Sequence, residues 1–275
     1  MPAFICVTCG TQFAPSDVPP PACPICEDER QFVPSSGQSW TTLEKLRQSH
    51  TNAWRRYEDG LLGLGTVPSF GIGQRAFLVR TRGGNVLWDC IALIDEATIE
   101  LIRALGGLRA VAISHPHYYT TMLDWAEAFD CPVHLHAADR EWVMRLGPAL
   151  RFWDGDTSEL APGLTLIRAG GHFAGGTMLH WAGGADGKGA LLSGDIFQVV
   201  PDRRHVSFMW SYPNLLPLSA ATVRSMARIV DPFAYDAVYG AFWGREIREG
   251  GRQAVAESVE RYLRCLGEGA GGNPA

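Results

Sequence analysis

Short apolar runs separated by polar turns recur along most of the chain and predict a series of β-strands. Seven runs rich in Val, Ile, Leu and aromatic residues are strand candidates: AFLVR (76–80), NVLWDC (85–90), AVAIS (110–114), PVHLH (132–136), LTLIR (164–168), MLHWA (178–182) and ALLSGD (190–195). They fall into two groups, each followed by helical sequence. This order favours a layered α/β fold over a regularly alternating barrel.

Amphipathic spacing of the apolar positions predicts the helices. Six segments show it: 40–58, 95–105, 121–129, 138–146, 220–230 and 252–266. Glycine pairs at 106–107 and 170–171 are natural stops between elements. We predict a small N-terminal module over 1–36, a large α/β domain over 40–268 and a flexible tail over 269–275.

Composition narrows the class of protein. Of the 275 residues, 46% are hydrophobic and 19% charged, which is enough apolar sequence to bury a sizeable core. The net charge of -5, without a basic cluster, argues against nucleic-acid binding. No apolar run reaches the roughly 20 residues of a membrane span. The N-terminus has no basic start followed by an apolar stretch, so we expect no signal peptide and a cytoplasmic protein.

The first 26 residues contain four of the seven cysteines, arranged as two C-x2-C pairs thirteen residues apart: Cys6, Cys9, Cys23 and Cys26. Each pair forms a tight knuckle, and Gly10 permits the turn after the first one. Two knuckles make a tetrahedral four-thiolate site for zinc or a single iron. The segment resembles zinc ribbons and, more loosely, rubredoxin, and we predict a closed structural zinc site. We call residues 1–36 the ribbon.

The other three cysteines are isolated in apolar or helical contexts, and we interpret them as buried or semi-buried free thiols: Cys90, Cys131 and Cys265.

Histidines and an aspartate follow the ends of predicted strands in the large domain. His115 and His117 come after AVAIS, His172 follows LTLIRAGG, and Asp195 follows ALLSG. Loops at strand ends are where functional residues concentrate. In an extended H-x-H segment both rings lie on one face, so both can bind one metal ion. Imidazole and carboxylate are the usual ligands for zinc or non-haem iron.

The order of these motifs resembles the metallo-β-lactamase fold superfamily. H-x-H is followed by GGHFAGG, similar to the family's G-H-T-x-G loop, and by LLSGD, similar to the strand that carries its bridging carboxylate. NVLWDC resembles an early strand ending in Asp, which makes Asp89 a candidate orienting residue. The resemblance covers 63–266 and implies an αββα sandwich with metal ions in a cleft at the edge of two sheets.

The sequence departs from the family at the second metal. The family's first motif is H-x-H-x-D-H, but Tyr119 and Thr120 replace its Asp and third His. The late turn that usually supplies a final His reads VYGAFWG (238–244), without histidine. The resemblance therefore implies one metal ion, zinc or iron, held by His115, His117 and His172 with Asp195.

Tyr119 has two interpretations. Its ring fills the space of the missing second metal, or its hydroxyl orients substrate and stabilises an oxyanion as a catalytic group.

Other polar residues are weaker candidates. His134 and His136 form a second H-x-H pair and could supply a substitute ligand, although packed histidines are more common. We interpret His180 as packed and Asp124 as an ordinary carboxylate at a helix start. The aromatic, proline-rich segment 208–219 either walls the cleft, together with Phe242 and Trp243, or packs as an apolar loop.

Three functions fit these residues. The first is a mononuclear zinc hydrolase of an ester, thioester or lactone, in which Asp195 orients the attacking water, acts as general base or completes the metal coordination. The second is a non-haem iron oxygenase using His115, His172 and Asp195. The third is a non-catalytic binding protein stabilised by metal. The first two imply a small-molecule substrate, and iron or zinc in the large domain discriminates between them.

Overall fold

A computed structural model describes residues 1–268 of the chain. These residues form two compact units, one spanning Met1–Trp153 and the other beginning at Asp154. The ribbon lies in the first unit. The tail predicted over 269–275 lies outside the described residues.

The first unit contains nine strands and four helices. Its strands are β1 (Phe4–Cys6), β2 (Trp40–Thr42), β3 (Thr51–Glu58), β4 (Leu61–Val67), β5 (Ala76–Thr81), β6 (Gly84–Trp88), β7 (Ala110–Ala112), β8 (Val133–His136) and β9 (Leu150–Trp153). Its helices are α1 (Pro24–Glu27), α2 (Leu43–Ser49), α3 (Glu96–Ala104) and α4 (Met122–Phe129).

The first unit has a seven-stranded sheet with the order β3-β4-β5-β6-β7-β8-β9. The first four strands are antiparallel neighbours, and β6 to β9 run parallel to one another. Carboxyl ends of parallel strands share one edge of a sheet, so the residues after β6, β7 and β8 lie along that edge. Asp89 and His115 belong to this set, and His136, the last residue of β8, lies at the same edge. A separate pair, β1 with β2, joins the ribbon to residues just beyond it.

Up to residue 268, the second unit contains ten strands and three helical segments. Its strands are β10 (Thr157–Ala161), β11 (Leu164–Arg168), β12 (Thr177–Trp181), β13 (Ala190–Gly194), β14 (Gln198–Val199), β15 (Val206–Ser207), β16 (Met209–Ser211), β17 (Leu216–Pro217), β18 (Ala237–Gly240) and β19 (Glu246–Ile247). Its helical segments are α5 (Gly184–Gly187), α6 (Ala220–Val230) and α7 (Gly251–Cys265).

A six-stranded sheet with the order β10-β11-β12-β13-β18-β19 forms the centre of the second unit. Every neighbouring pair is antiparallel except β13 with β18. All five residues of β13 are buried, as expected for a central strand. Ser219 caps the start of helix α6, because its hydroxyl accepts a hydrogen bond from the amide of Thr222. The helix packs an apolar stripe that includes Val223 and Met226 against the core.

All seven predicted strands are confirmed, and four of the six helices form close to their predicted bounds. The prediction of one helix over 40–58 is wrong. Residues 40–42 pair with the ribbon strand, α2 occupies Leu43–Ser49, and Thr51–Glu58 pairs with β4. The segment alternates between exposed and half-buried positions along β3, and cross-strand pairing overrides its helical propensity.

The prediction of a helix over 138–146 is also wrong. A short 3₁₀ segment covers Ala137–Trp142, and Asp139 within it has non-helical dihedral angles. Cys90 and Cys131 are buried as expected, whereas Cys265, near the end of α7, is exposed. Within the described part of the chain, no helix has the length and apolar character needed to cross a membrane.

Candidate metal centres

His115 and His117 lie in the loop that leaves β7. The carboxylate of Asp89, just after β6, accepts a hydrogen bond from the amide of Ser114 over 2.8 Å. The Ser114 hydroxyl lies 2.9 Å from Nδ1 of His115. Asp89 has a φ of 62°, a left-handed conformation that turns its side chain back towards the neighbouring strand end. These contacts fix the start of the H-x-H segment.

His172 follows two glycines, and its ring orientation is set by the backbone. Nδ1 of His172 lies 2.6 Å from the carbonyl oxygen of Trp210. A carbonyl oxygen only accepts hydrogen bonds, so Nδ1 carries the proton and Nε2 of the neutral ring has the lone pair. A hydrogen bond from one ring nitrogen to a protein group orients a histidine whose other nitrogen binds a metal ion. The rings of Phe173 and Tyr212 pack at 5.1 and 5.7 Å from the imidazole.

Asp195 lies in a tight turn at the end of β13. The amide of Ile196 donates to the carbonyl of Ser193, and the Tyr212 hydroxyl donates to the carbonyl of Asp195 over 2.8 Å. Gly194 has a φ of 57° and accepts a hydrogen bond from the amide of Ala241. The S-G-D sequence therefore meets the conformational needs of the turn, because glycine adopts positive φ without steric cost.

Four side chains form a candidate metal-binding group, in which each residue offers one ligand atom and all four atoms lie within 4.8 Å of one another: His115, His117, His172 and Asp195. Each side chain is buried, at 4% exposure or less. Three imidazoles and a carboxylate are a donor set suited to zinc or iron. The protonation of His172 at Nδ1 also fits a metal at Nε2, so the residues present fit such an ion.

The residues that replace the family's second-metal ligands make other contacts in this protein. Thr120 is buried with a φ of 35°, and its carbonyl accepts a hydrogen bond from the amide of Gln12 in the ribbon. Tyr119 is buried at 2% exposure, and burial, followed by the charge of Asp139, raises the pKa of its hydroxyl well above the usual value. The turn at Ala241 is held to Gly194 by backbone hydrogen bonding.

The structure assigns packing or capping contacts to the weaker candidates. Nδ1 of His136 accepts a hydrogen bond from the amide of Ala138, and its ring contacts Trp153. His134 is half-buried, and burial, then the charge of Arg151, lowers the pKa of its imidazole. Neither residue belongs to a metal-binding group among residues 1–268.

His180 and Asp124 also have structural partners. His180 lies 2.7 Å from the carbonyl of Ala234 and is 8% exposed. Asp124 accepts hydrogen bonds from Gln12 and Arg145.

The four ribbon cysteines form a second group with ligand atoms within 4.8 Å of one another. Sγ of Cys6 lies 3.6 Å from Sγ of Cys26, and Sγ of Cys9 lies 3.7 Å from Sγ of Cys23. All four are buried, at 1% exposure or less. Hydrogen bonds from the Cys23 and Cys26 thiols hold the pKa of Cys6 below its usual value, whereas hydrogen bonding in the same cluster raises the pKa of Cys9 and Cys26. Such a cluster fits the tetrahedral site expected from the two knuckles.

Sequence reasoning missed three residues that support these sites: Gln12, Trp210 and Tyr212. Tyr212 lies in the aromatic segment 208–219, for which the sequence leaves two interpretations, a wall of the cleft or a packed apolar loop. In the structure, Phe208 belongs to the buried core of the second unit, and β16 pairs with β17. No sequence signal could have identified Trp210, because it acts through its backbone carbonyl.

Comparison with known proteins identifies the fold. The chain is 48% identical over 268 residues to the uncharacterized protein YmaE of Bacillus subtilis, covering 97% of each chain. No protein-family profile matches it. Among solved structures, it is similar to DIM-1 metallo-β-lactamase exposed to ceftazidime, with a TM-score of 0.57, 15% identity, and coverage of 76% of this chain and 97% of that one.

A second similar structure is the metallo-β-lactamase SMB-1 in complex with mercaptoacetic acid. The TM-score is 0.51 at 18% identity, and the match covers 75% of this chain and 92% of that one. The metallo-β-lactamase fold predicted from the motif order is therefore confirmed.

Proposed function

The chain belongs to the family of Bacillus subtilis YmaE and has the metallo-β-lactamase fold, and from this premise we propose that it is a mononuclear metal-dependent hydrolase. The observation that carries the proposal is the buried group of three histidines and one aspartate, whose ligand atoms lie within 4.8 Å of one another. A buried, convergent donor set of this kind has a large desolvation cost unless it binds a cation.

The residues have distinct roles in this proposal. His115, His117 and His172 hold the metal ion, for which we propose zinc. When bound, zinc supplies a Lewis acid and lowers the pKa of water to about 7. Asp195 contributes its carboxylate to the ligand group, and it also orients the attacking water and accepts its proton. The Trp210 carbonyl holds His172 in the tautomer that presents Nε2.

The substrate proposed is an ester, thioester or lactone. Aromatic rings of Phe173 and Tyr212 surround His172 in the second unit, and they favour an uncharged acyl group over a highly charged one. For Tyr119 we propose packing rather than catalysis, because the residue is buried and borders a small cavity lined also by the ribbon residues Thr11 and Gln12. The ribbon cysteines hold a separate structural zinc ion.

Metal analysis of the full chain tests the proposal. We expect two zinc equivalents per chain, one in the ribbon and one in the histidine group. His172→Ala should lose one equivalent together with hydrolysis of a panel of activated esters, thioesters and lactones. His180→Ala is the matched control: it also removes a buried histidine from the second unit, but one that contacts the Ala234 carbonyl and Phe233. It should keep both equivalents.

Three outcomes would overturn the proposal. Retention of both equivalents by His172→Ala would remove the histidine group as the metal site. Iron in place of the second zinc would favour the oxygenase that uses His115, His172 and Asp195. A metal-loaded chain that hydrolyses none of the panel would favour a non-catalytic binding protein.

A further inference from the structure

We propose that the ribbon is the part of the protein that positions the His115–His117 loop, and that Gln12 is its main positioning residue. The inference rests on the proposed function, because it requires that the histidine group binds a metal ion. It assigns to the four-cysteine module a role in the chemistry of the large domain.

The backbone of the ribbon is hydrogen-bonded to the metal-binding loop. The amide of Gln12 donates to the carbonyl oxygen of Thr120 over 3.1 Å, three residues after His117. The γ-methyl carbon of Thr120 lies 3.4 Å from the point that a Cβ on Gly10 would occupy. Residue 120 stands where the family's first motif has its third histidine. In this chain that position contacts the ribbon knuckle.

A partly buried polar cluster reinforces this contact. Nε2 of Gln12 donates to Oδ2 of Asp124 over 2.7 Å, and Nη1 of Arg145 donates to Oδ1 of Asp124 over 2.6 Å. Nη1 of Arg145 also donates to Oε1 of Gln12. Gln12 is 4% exposed and both ends of its amide are hydrogen-bonded to protein groups, whereas the side chains of Arg145 and Asp124 are 20% and 19% exposed. Charge-assisted hydrogen bonds of this kind are stronger than neutral ones and fix geometry.

The opposite side of the loop is fixed to a core that the ribbon shares. The Thr121 hydroxyl donates to the carbonyl of Ala92 over 3.0 Å. Ala92 packs in a buried apolar cluster with Leu46, Leu93 and Ile5 of the ribbon strand β1. The segment 120–124 is therefore held between the ribbon and residues that pack on the ribbon.

Backbone hydrogen bonds in the first knuckle connect the four-cysteine site to Gln12. The Gly10 amide donates to the carbonyl of Cys6, and the Cys6 amide donates to the carbonyl of Thr11, the residue before Gln12. A segment of this size has too little core to fold without its metal. Loss of the ribbon metal should therefore release Gln12, and with it the loop that presents His115 and His117.

Cobalt substitution of the full chain tests the inference, because its electronic spectrum reports the two sites separately. A four-thiolate site gives strong thiolate-to-cobalt charge-transfer bands, and the histidine group gives only weak d–d bands. In Gln12→Ala we expect the charge-transfer bands to persist and cobalt affinity at the histidine group to fall roughly tenfold, as for other residues that orient ligands. Arg145→Ala should produce a similar loss, and the double variant should lose little more than either alone.

Gln48→Ala is the matched control, since it makes the same substitution at an exposed position of α2 in the same unit. It should leave both the charge-transfer bands and the d–d bands unchanged. If Gln12→Ala and Arg145→Ala both bind cobalt at the histidine group as tightly as Gln48→Ala does, the inference fails and the proposed function stands. If the unaltered chain gives only the thiolate bands, both fail. If Gln12→Ala loses the thiolate bands, its ribbon has not formed, and Arg145→Ala, which leaves the ribbon sequence intact, becomes the test. Weaker cobalt binding at the histidine group in Arg145→Ala then supports the inference, and unchanged cobalt binding contradicts it.

Discussion

The hydroxyl of Tyr212 donates a hydrogen bond to the backbone carbonyl of Asp195 over 2.8 Å. The same hydroxyl lies 3.2 Å from the carbonyl of Ser207, so one phenol joins the turn of the candidate metal ligand to the strand β15. Burial, then the charge of Asp195, raises the pKa of Tyr212 well above 10. The phenol therefore stays protonated at neutral pH and remains a hydrogen-bond donor.

Tyr212→Phe should weaken metal binding through Asp195. Removing the hydroxyl leaves a buried carbonyl without its donor, so we expect a loss of about 1 kcal/mol in the free energy of unfolding. Metal affinity at the histidine group should fall roughly tenfold, because Asp195 loses a group that orients it. Urea denaturation and metal titration measure the two effects.

Tyr262→Phe is the control for this prediction. The Tyr262 hydroxyl also donates to a backbone carbonyl in the second unit, that of Leu218, over 3.1 Å. This variant should lose similar stability and keep its metal affinity. Equal metal affinity in Tyr212→Phe and Tyr262→Phe would show that the Tyr212 contact is only structural.

Gly171→Ala should disturb the histidine that follows it. Gly171 has a φ of 81°, and an added Cβ would lie 2.6 Å from Sδ of Met226. Gly155→Ala imposes similar strain at a φ of 87°, with no atom within 4 Å of the new Cβ. We expect Gly155→Ala to cost about 1–2 kcal/mol from backbone strain alone.

In Gly171→Ala, overpacking should add about 1–3 kcal/mol to this cost. The variant should also bind metal more weakly than Gly155→Ala, because the His172 backbone shifts with its neighbour. Thermal unfolding and metal titration of the two variants give the comparison. Equal losses of stability and metal affinity in both would mean that the Met226 side chain moves aside at no energetic cost.

Substitutions of Tyr119 separate packing from catalysis. Tyr119→Phe retains the buried ring, so turnover should stay within about threefold of the unaltered chain, whereas loss of an oxyanion-stabilising hydroxyl would lower turnover by about 10²–10³. Tyr119→Ala should lower the free energy of unfolding by about 3–5 kcal/mol because it leaves a large cavity. A large loss of turnover in Tyr119→Phe at unchanged metal content would assign the hydroxyl a catalytic role.

Cys131 and Cys265 should differ in their reaction with iodoacetamide. Burial, then the charge of Asp130, raises the pKa of Cys131 to about 11, and its side chain is 6% exposed. The thiolate is the nucleophile, so at pH 8 Cys131 remains a protonated and hidden thiol. The exposed Cys265 should be alkylated first.

Peptide mass spectrometry at a series of pH values measures both rates. Alkylation of Cys131 should accelerate as the pH approaches 11, where its thiolate forms. Alkylation of Cys131 at pH 8 as fast as that of Cys265 would contradict the prediction.

Much of the fold was available from local sequence. The apolar runs that became β5 to β8 and β11 to β13 are strands in the structure because their burial on the sheet matches their residue types. The cysteine spacing and the order of H-x-H, G-H and S-G-D likewise indicated which residues could meet. These signals are local or ordered along the chain, so they can be read without coordinates.

Only the tertiary structure decided the rest. Residues 40–58 look helical in isolation, but pairing with β1 and β4 divides them between two strands and a short helix. Gln12 meets Asp124 across 112 residues and Arg145 across 133, and His172 is oriented by a backbone carbonyl that has no sequence signature. The sequence by itself determined which residues could bind metal, because ligand chemistry is a property of the side chain. Their orientation depends on long-range packing and backbone hydrogen bonds, which exist only in the folded chain.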